Sequence, residues 1–307
     1  MDIRQLRVLR ELGDLGSVRA VADAMLITPS AVSQQLALLQ RSVDVPLTRR
    51  EGRNLVLTDA GRVLADAGAS VIRAMADARA AIGAFHDDPA GTVALSAFHS
   101  AGHAVFSRLV DRLPPGADGV PRLRLSDEDV SQQEFPALTA RYDLVLAHRM
   151  ANGPAWPQDR VSVLPMIEEA LDVALPAGHP LAARAALLPE EVADEPWVTS
   201  RAGYSPADVL AAVVAVTGRP ARVLHRINDY SAVAALVAAG GVIGLLPRYT
   251  ARPAVPPGLV LRPLRGVAAV RTIDVLARPE ALRRRSVMTV ADTLRDILSE
   301  LSAPRAS

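Results

Sequence analysis

Residues 17–61 constrain the fold of this chain more than any other stretch. Their pattern predicts a short helix over residues 17–26 and a second helix that opens after Thr28. The Thr28 hydroxyl can accept a hydrogen bond from an orphan backbone N–H at a helix start. Pro29 suits the first helical position because it has no N–H to leave unpaired. Two short helices joined by a tight turn predict a helix-turn-helix.

The second helix of this motif has one apolar face and one polar edge. Val32, Leu36 and Leu39 share the face that we expect to be buried. Small and amide side chains lie elsewhere on the helix, and they suit an entry into the DNA major groove because they offer little bulk and both donors and acceptors. The candidate base-contacting residues are Ser30, Ala31, Ser33, Gln34 and Gln35. The pattern therefore indicates a transcriptional regulator.

Three arginines follow the motif on a segment that predicts a β-hairpin wing. Glu51-Gly52 lies between two strand-like runs, and Arg49, Arg50 and Arg53 cluster around it. We expect these arginines to contact phosphates or the adjacent minor groove. The formal net charge of the chain is only +1, so the overall charge gives no support to DNA binding, and the electrostatic indication is the local arginine cluster. A solvated surface cluster is the alternative interpretation.

A long helix is predicted from Thr58 to about Phe85. Small and apolar residues recur along it at alternating spacings of four and three: Ala60, Leu64, Ala67, Val71, Ala74, Ala78, Ala81 and Phe85. Such a heptad pattern is typical of a seam shared by two helices, and it predicts a dimer. The alternative is a helix packed on its own domain. Asp87, Asp88 and Pro89 mark a linker after it.

Composition bounds the remaining possibilities. A chain of 307 residues that is 50% hydrophobic can form two or three domains. It has no cysteine, which excludes disulfides and thiolate metal sites and fits a reducing compartment. The charged start is no secretory signal, and the longest apolar run, residues 232–246, is too short for a membrane span. We expect a cytoplasmic protein without membrane contact.

From residue 92 onward, short apolar runs alternate with helical patterns, which is typical of α/β folds. Strands are predicted at 92–97, 123–125, 143–147, 171–175, 223–227, 242–246 and 272–277. Helices are predicted at 100–113, 132–140, 205–217 and 230–239, and over 287–301 at the end.

The chain resembles a LysR-type transcriptional regulator over essentially its full length. The resemblance is carried at the start by residues 1–6, 16–17 and 30–36, by Pro46-Leu47, and by Leu57-Thr58 with Ala60-Gly61. Farther on it is carried by Gly178-His179-Pro180-Leu181, Pro196-Trp197-Val198 and residues 237–247. Gln40 and Thr48 depart from the family pattern, which usually has Glu and Phe at these positions.

The resemblance implies an α/β protein with an N-terminal all-α winged helix-turn-helix, a dimerising linker helix and a two-lobed effector domain like the periplasmic binding proteins. The implied domains are 1–58, 59–90 and 91–307. Within the last, lobe I covers about 91–160 and 268–305, and lobe II about 161–267. The expected partners are double-stranded operator DNA, a small-molecule effector in the cleft between the lobes, and further copies forming a homodimer and a homotetramer.

Family position places six candidate effector-binding residues around the cleft. Ser100 begins the first helix of lobe I, where backbone N–H groups can receive an anion. Nearby positions add His148, Arg149, Thr199, Ser200 and Arg201. The two arginines favour an acidic ligand such as a carboxylate, although an arginine at a strand end is more often a surface salt-bridge partner.

The sequence indicates no catalytic site, metal or cofactor. His99 and His103 share a helix face, but no third ligand is placed to complete a metal site. Gly203-Tyr-Ser205-Pro206-Ala207 fails as a nucleophile elbow because proline lacks the N–H that an oxyanion hole needs, and Ser205 suits a helix N-cap instead. Two other functions remain open: an α/β enzyme with an incidental helix-turn-helix, and an architectural DNA binder without an effector.

Overall fold

The computed structural model describes residues 1–52, 54–83, 90–252 and 255–303, without the side chains of residues 79–83. Its N-terminal part contains three helices and a β-hairpin: α1 (Ile3–Leu15), α2 (Val18–Met25), α3 (Pro29–Gln40), β1 (Thr48–Glu51) and β2 (Asn54–Leu57). The predicted helix-turn-helix and wing are confirmed.

Side-chain caps fix the helix starts of this part. The Ser17 hydroxyl accepts from the Ala20 N–H at 3.1 Å, and the Thr28 hydroxyl accepts from the Ala31 N–H at 3.2 Å. Pro29 is the first residue of α3, as its sequence position predicts. Leu9, Val32 and Leu39 pack in the core that the three helices share, so the polar edge of α3 stays outside.

A long helix, α4 (Asp59–Gly83), follows the wing and packs against α1 with one face. That face contains Gly61, Ala65, Gly68 and Ile72, all buried. The heptad seam lies beside it: Ala67, Val71, Ala74 and Ala78 are exposed in the single chain and Leu64 is half-buried. Ala81 and Phe85 lie outside the described side chains. The helix therefore packs on its own domain and still presents the seam to solvent.

The rest of the chain is α/β. Its elements in chain order are β3 (Thr92–Ala97), α5 (His99–Arg112), β4 (Arg122–Asp127), α6 (Phe135–Leu138), β5 (Leu144–Met150), β6 (Ser162–Pro176), α7 (Pro189–Val192), β7 (Pro196–Thr199), α8 (Ser205–Thr217), β8 (Arg222–Arg226), α9 (Tyr230–Ala239), β9 (Gly244–Pro247), β10 (Leu259–Arg262), β11 (Val270–Ala277) and α10 (Arg285–Ser302).

Two lobes form around the long strand β6. In lobe I, β3 pairs in parallel with β4 and β5, and β11 lies antiparallel between β5 and the first half of β6. In lobe II, the second half of β6 pairs antiparallel with β9 and β10, while β7 and β8 form a separate parallel pair. Each lobe has its own apolar core, so β6 and the return into β11 are the connections between them.

The structure departs from the predicted elements in several places. The strand predicted at 171–175 is the second half of β6, and the predicted helix 132–140 is a 3-10 turn at Gln132–Glu134 followed by the short α6. Helix α7 and strands β7 and β10 were not predicted. Within the described ranges, none of the helices combines the length and apolar character that crossing a bilayer requires.

Candidate DNA-contacting surface and interlobe cleft

Helix α3 presents a polar edge to solvent. Val32, Leu36 and Leu39 are buried. Ser30, Ser33 and Gln34 are exposed, and Ala31 and Gln35 are half-buried. This division matches the division predicted from the sequence, because the three apolar residues recur at the helical period on one face.

The amides of this edge are available to a partner. The Ser33 hydroxyl donates to the Pro29 carbonyl at 3.0 Å, and Ser30 shares a hydrogen bond with Thr28 at 2.9 Å. Within the part of the chain that the structure describes, the Gln34 and Gln35 amides make no hydrogen bond to the protein. A free carboxamide offers one acceptor and two donors, which is the set that reads an adenine edge.

The wing carries two of the three predicted arginines on an exposed antiparallel pair. Arg49 forms an ion pair with Glu51 at 3.2 Å, and both side chains are more than half exposed. Arg50 is exposed and makes no ion pair among the described residues. Arg53 lies outside the described residues. Among the described wing residues, the Arg50 guanidinium is thus exposed and without an ion pair.

Gln40, one of the two departures from the family pattern, ties α3 to the segment before the wing. Its amide nitrogen donates to the Val45 carbonyl at 2.9 Å, and its amide oxygen accepts from the Leu47 N–H at 2.8 Å. A glutamate could make the second bond but has no donor for the first. Gln40 therefore holds the segment before the wing against α3. Thr48 cannot add the aromatic contact that a phenylalanine would make.

A buried ion pair occupies the connection between the lobes. Arg271 on β11 donates from Nε and Nη2 to Glu169 on β6, at 3.0 and 2.7 Å. Both side chains are almost completely buried, at 1% and 0% exposure. Nη2 also reaches the Thr250 hydroxyl at 3.0 Å, and the guanidinium lies over the Phe98 ring. The charge of Arg271 is therefore neutralised inside the protein.

Ser100 and His148 join this cluster from lobe I. The Ser100 hydroxyl bonds to Thr250 of lobe II at 3.2 Å, and His148 Nδ1 bonds to the Ser205 hydroxyl at 3.1 Å. The imidazole packs edge-on against Phe98 and Phe135. Burial lowers the pKa of His148 well below its ordinary range, and the Arg271 charge lowers it further. His148 is therefore a neutral hydrogen-bonding group.

Of the predicted lobe II residues, Thr199 ends β7, and Ser200 and Arg201 follow it. Thr199 is buried, and its hydroxyl has no hydrogen-bond partner in the described chain. The Ser200 hydroxyl accepts from the Ala207 N–H at 3.0 Å and so caps α8, the role expected of Ser205. The prediction that Ser205 is an N-cap is wrong, because its hydroxyl bonds to His148 and α8 begins at Ser205 itself.

Ion pairs and hydrogen bonds join lobe I to lobe II at the rim of the cleft. The Asp129 carboxylate accepts from Arg201 at 2.8 Å and from the Asn228 amide at 3.2 Å. His99 lies between Asp127, at 3.1 Å, and Asp229, at 3.2 Å. Arg201 therefore lies at the cleft with its charge already paired.

Arg149 lies apart from the other candidate effector residues. Successive side chains of a strand point to opposite faces, so Arg149 leaves β5 on the face away from His148. Its Nη1 approaches the Met150 and Gly153 carbonyls at 3.4 and 3.5 Å, and its Nε is 3.9 Å from Asp274. The structure thus joins Ser100 to Thr250 and His148 to Ser205, at the start of the helix that Ser200 caps, and places Arg149 elsewhere.

Sequence reasoning missed three residues of the buried cluster, Glu169, Thr250 and Arg271. A charged side chain inside an otherwise apolar strand is the available signal, since such a charge is buried only when it is paired. Glu169 lies two residues before the strand predicted at 171–175, and Arg271 directly precedes the strand predicted at 272–277. Each could have been predicted to be a buried charge. Their pairing could not be predicted, because it depends on the register between β6 and β11, which are far apart in the chain.

Comparison with known families gives two matches that together span most of the chain. The family described as "Bacterial regulatory helix-turn-helix protein, lysR family" matches residues 3–62. The "LysR substrate binding domain" matches residues 86–299.

Individual relatives and solved structures agree with these matches. A probable RuBisCO transcriptional regulator of Synechocystis sp. is 28% identical over 193 residues, which is 58% of this chain and 51% of that protein. A protein of the same description from Trichormus variabilis is 22% identical over 98% of this chain and 88% of its own length.

The structure of a full-length OxyR variant from Pseudomonas aeruginosa aligns with a TM-score of 0.65 and 19% identity, over 96% of this chain and 95% of that one. Full-length CbnR complexed with its target DNA aligns with a TM-score of 0.53 and 15% identity, over 97% and 100%. At these identities the alignments show the fold.

Proposed function

This chain belongs to the LysR family of transcriptional regulators, and from that premise we propose which of its residues read DNA and which form its effector site. It is a regulator with a helix-turn-helix DNA-binding domain and a substrate-binding effector domain, and its family consists of transcriptional regulators and not of enzymes. The observation that carries the residue-level proposal is the solvent-facing, unpaired amide edge of α3.

For DNA, we propose that Ser30, Ala31, Ser33, Gln34 and Gln35 face the major groove. Their exposed or half-exposed positions on α3 support this assignment. Arg49, Arg50 and Arg53 hold the phosphates beside the groove, which fixes the register of α3 but carries no sequence information. The exposed seam of α4 joins two chains into a homodimer, and pairs of dimers form tetramers.

For the domains, we propose 1–58, 59–90 and 91–307, with the crossing between lobes placed inside β6. Ala170 still pairs with Val270 of lobe I, whereas Leu171 pairs with Pro247 of lobe II. These pairings support a lobe boundary about one half-strand later than residue 161, the boundary expected from the sequence. The return crossing lies between β10 and β11.

For the effector, we propose a small polar molecule held between the lobes by Ser100, His148, Thr199, Ser200 and Arg201. The expected carboxylate depended on Arg149 and Arg201 acting together. Arg149 lies elsewhere, Arg201 is paired with Asp129, and Arg271 is paired with Glu169. Since the charges around the cleft are internally compensated, an uncharged or zwitterionic effector fits better than an anion.

The experiment that tests the DNA assignment is a protection footprint on the region upstream of the chain's own gene. We expect a protected segment with two half-sites separated by whole turns of the duplex, because a dimer presents two copies of α3. Scrambled DNA of equal length is the control. The Arg50→Ala variant should reduce the slope of log affinity against log salt by about one. Protection that is equal on scrambled DNA would contradict sequence-specific recognition.

A further inference from the structure

A second cavity, of about 400 Å³, lies outside the interlobe cleft. It is lined mainly by the turn before α6, the end of β5 and the loop that follows β5. Residues of three parts of the molecule meet at its wall: Asp14 of α1, Trp156 of lobe I and Gly203 of lobe II. Its volume is within the range of small-molecule sites, whose lower limit is about 300 Å³.

The cavity is separate from the cleft because of the pleat of β5. His148 points into the cluster between the lobes, and Arg149, the next residue, lines the cavity on the opposite face. Gln132 joins β5 to α8 at the cavity wall: its amide oxygen accepts from the Met150 N–H at 2.8 Å, and its amide nitrogen donates to Asp208 at 2.6 Å.

The charges on the cavity wall are unequally satisfied. Arg160 is paired with Asp14 at 2.7 Å, and Asp14 also pairs with Arg278. Arg149 has two carbonyls at 3.4 and 3.5 Å and the Asp274 carboxylate at 3.9 Å, and its buried Nε has no hydrogen-bond partner in the described chain. The buried Nε of Arg160 also has no hydrogen-bond partner in the described chain, but its ion pair is 2.7 Å long against 3.9 Å for that of Arg149. The guanidinium of Arg149 is therefore the cation on this wall that gains most from an anionic ligand.

The remaining wall is mostly apolar. Pro136, Ala137, Met150, Pro157 and the indole of Trp156 line it. Trp156 is held in place by its Nε1, which donates to Asp274 at 2.7 Å. The Asp14 carboxylate of the wall is paired with arginines, and the Asp208 carboxylate accepts from Gln132. An apolar wall with one incompletely paired cation therefore favours an amphipathic anion.

We propose that this cavity is a second ligand site, which takes a small carboxylate with an aromatic or branched aliphatic body. The carboxylate binds the Arg149 guanidinium, and the apolar body packs on Trp156 and the prolines. Because Asp14 belongs to α1, a ligand here contacts the DNA-binding domain directly. The site is independent of the effector proposed for the cleft, and its test uses the full chain without DNA.

The test uses full-length protein labelled with 5-fluorotryptophan, whose two indoles give separate fluorine resonances. The Trp156→Phe variant assigns the Trp156 signal. Trp197, fully buried in lobe II, serves as the internal reference. Phenylacetate, 3-phenylpropionate and 4-methylpentanoate are titrated to millimolar concentration, each against its neutral amide.

We expect a saturable shift of the Trp156 resonance with a carboxylate and not with its amide, while the Trp197 resonance stays fixed. Arg149→Gln should weaken this binding by about tenfold or more, because it removes a charge-assisted hydrogen bond. Arg222→Gln, which removes an exposed arginine on β8, should leave it unchanged.

Three results would overturn the proposal. The first is that none of the three carboxylates shifts Trp156. The second is binding that Arg149→Gln leaves unchanged. The third is binding that Ser100→Ala abolishes, which would assign the probe to the interlobe cleft.

Discussion

His148 is neutral in the folded protein because burial removes the water that stabilises an imidazolium, and the Arg271 charge opposes a second cation nearby. Its Nδ1 is satisfied by Ser205, and the ring packs against two phenylalanines. The unfolded chain has no such constraint. The protonation of this one residue therefore couples folding to pH.

We predict that the free energy of unfolding decreases as pH falls below about 6.5, where an exposed imidazole protonates. Only the unfolded state then binds the extra proton, so stability falls by up to about 1.4 kcal/mol per pH unit. Urea unfolding between about pH 7 and pH 5.5 measures the slope. The His148→Gln variant should show a shallower slope, and equal slopes in both proteins would refute the prediction.

At the scale of elements, the start of α4 shows why the chain has glycine at position 61. The Thr58 hydroxyl accepts from the Gly61 N–H at 3.0 Å and donates to the Pro46 carbonyl at 2.6 Å. This holds the first turn of α4 against the segment before the wing. A Cβ at Gly61 would lie 2.0 Å from the Leu47 carbonyl oxygen.

Gly61→Ala should destabilise the DNA-binding domain by about 1–3 kcal/mol, because the added methyl forces α4 away from the wing segment. Chemical denaturation followed by circular dichroism measures the loss. The matched control is Gly178→Ala, since a Cβ there meets no atom within 4 Å. A variant at Gly61 as stable as this control would disprove the close packing described here.

Local sequence patterns were enough to predict some of these helices and strands, but not others. Thr28-Pro29 fixed the start of α3, and residues 230–239 matched α9, because caps and helical periodicity act within one segment. The first half of β6 was missed because Pro165 and Glu168 interrupt its apolar pattern, and its pairing with β11 comes from residues far along the chain.

The candidate sites follow the same rule. The exposed edge of α3 could be predicted because helix periodicity decides it. The direction of Arg149 depends on which face of β5 is covered, and this is known only once β11 is paired with β5.

At the scale of the whole molecule, the DNA-binding domain is docked on lobe I through buried charges. Arg278, after β11, binds Glu11 at 3.0 Å and Asp14 at 2.6 Å, and Arg160 also binds Asp14. Burial opposes the charge of Arg278, but the two carboxylates outweigh it and raise the pKa of the guanidinium. This contact is a physical route from the effector domain to α1.

Arg278→Gln should weaken this docking by about 3 kcal/mol, because it leaves buried carboxylates less compensated. Hydrogen exchange of α1 and of residues 278–283 measures the loss as faster exchange. The control is Arg283→Gln, which breaks the exposed pair with Asp77 and should cost about 1 kcal/mol or less. Equal exchange in the two variants would show that the buried pairs do not hold the domains together.

The most direct test of the regulator's DNA recognition compares Gln34→Ala with the unaltered protein by fluorescence anisotropy, on the footprinted operator and on random DNA. Gln158→Ala, an exposed amide in lobe I, is the matched control. We predict a loss of about 1–3 kcal/mol on the operator and little change on random DNA, since the role proposed for Gln34 is to contact bases and not phosphates. An equal loss on both DNAs, or no loss on either, would contradict recognition through α3.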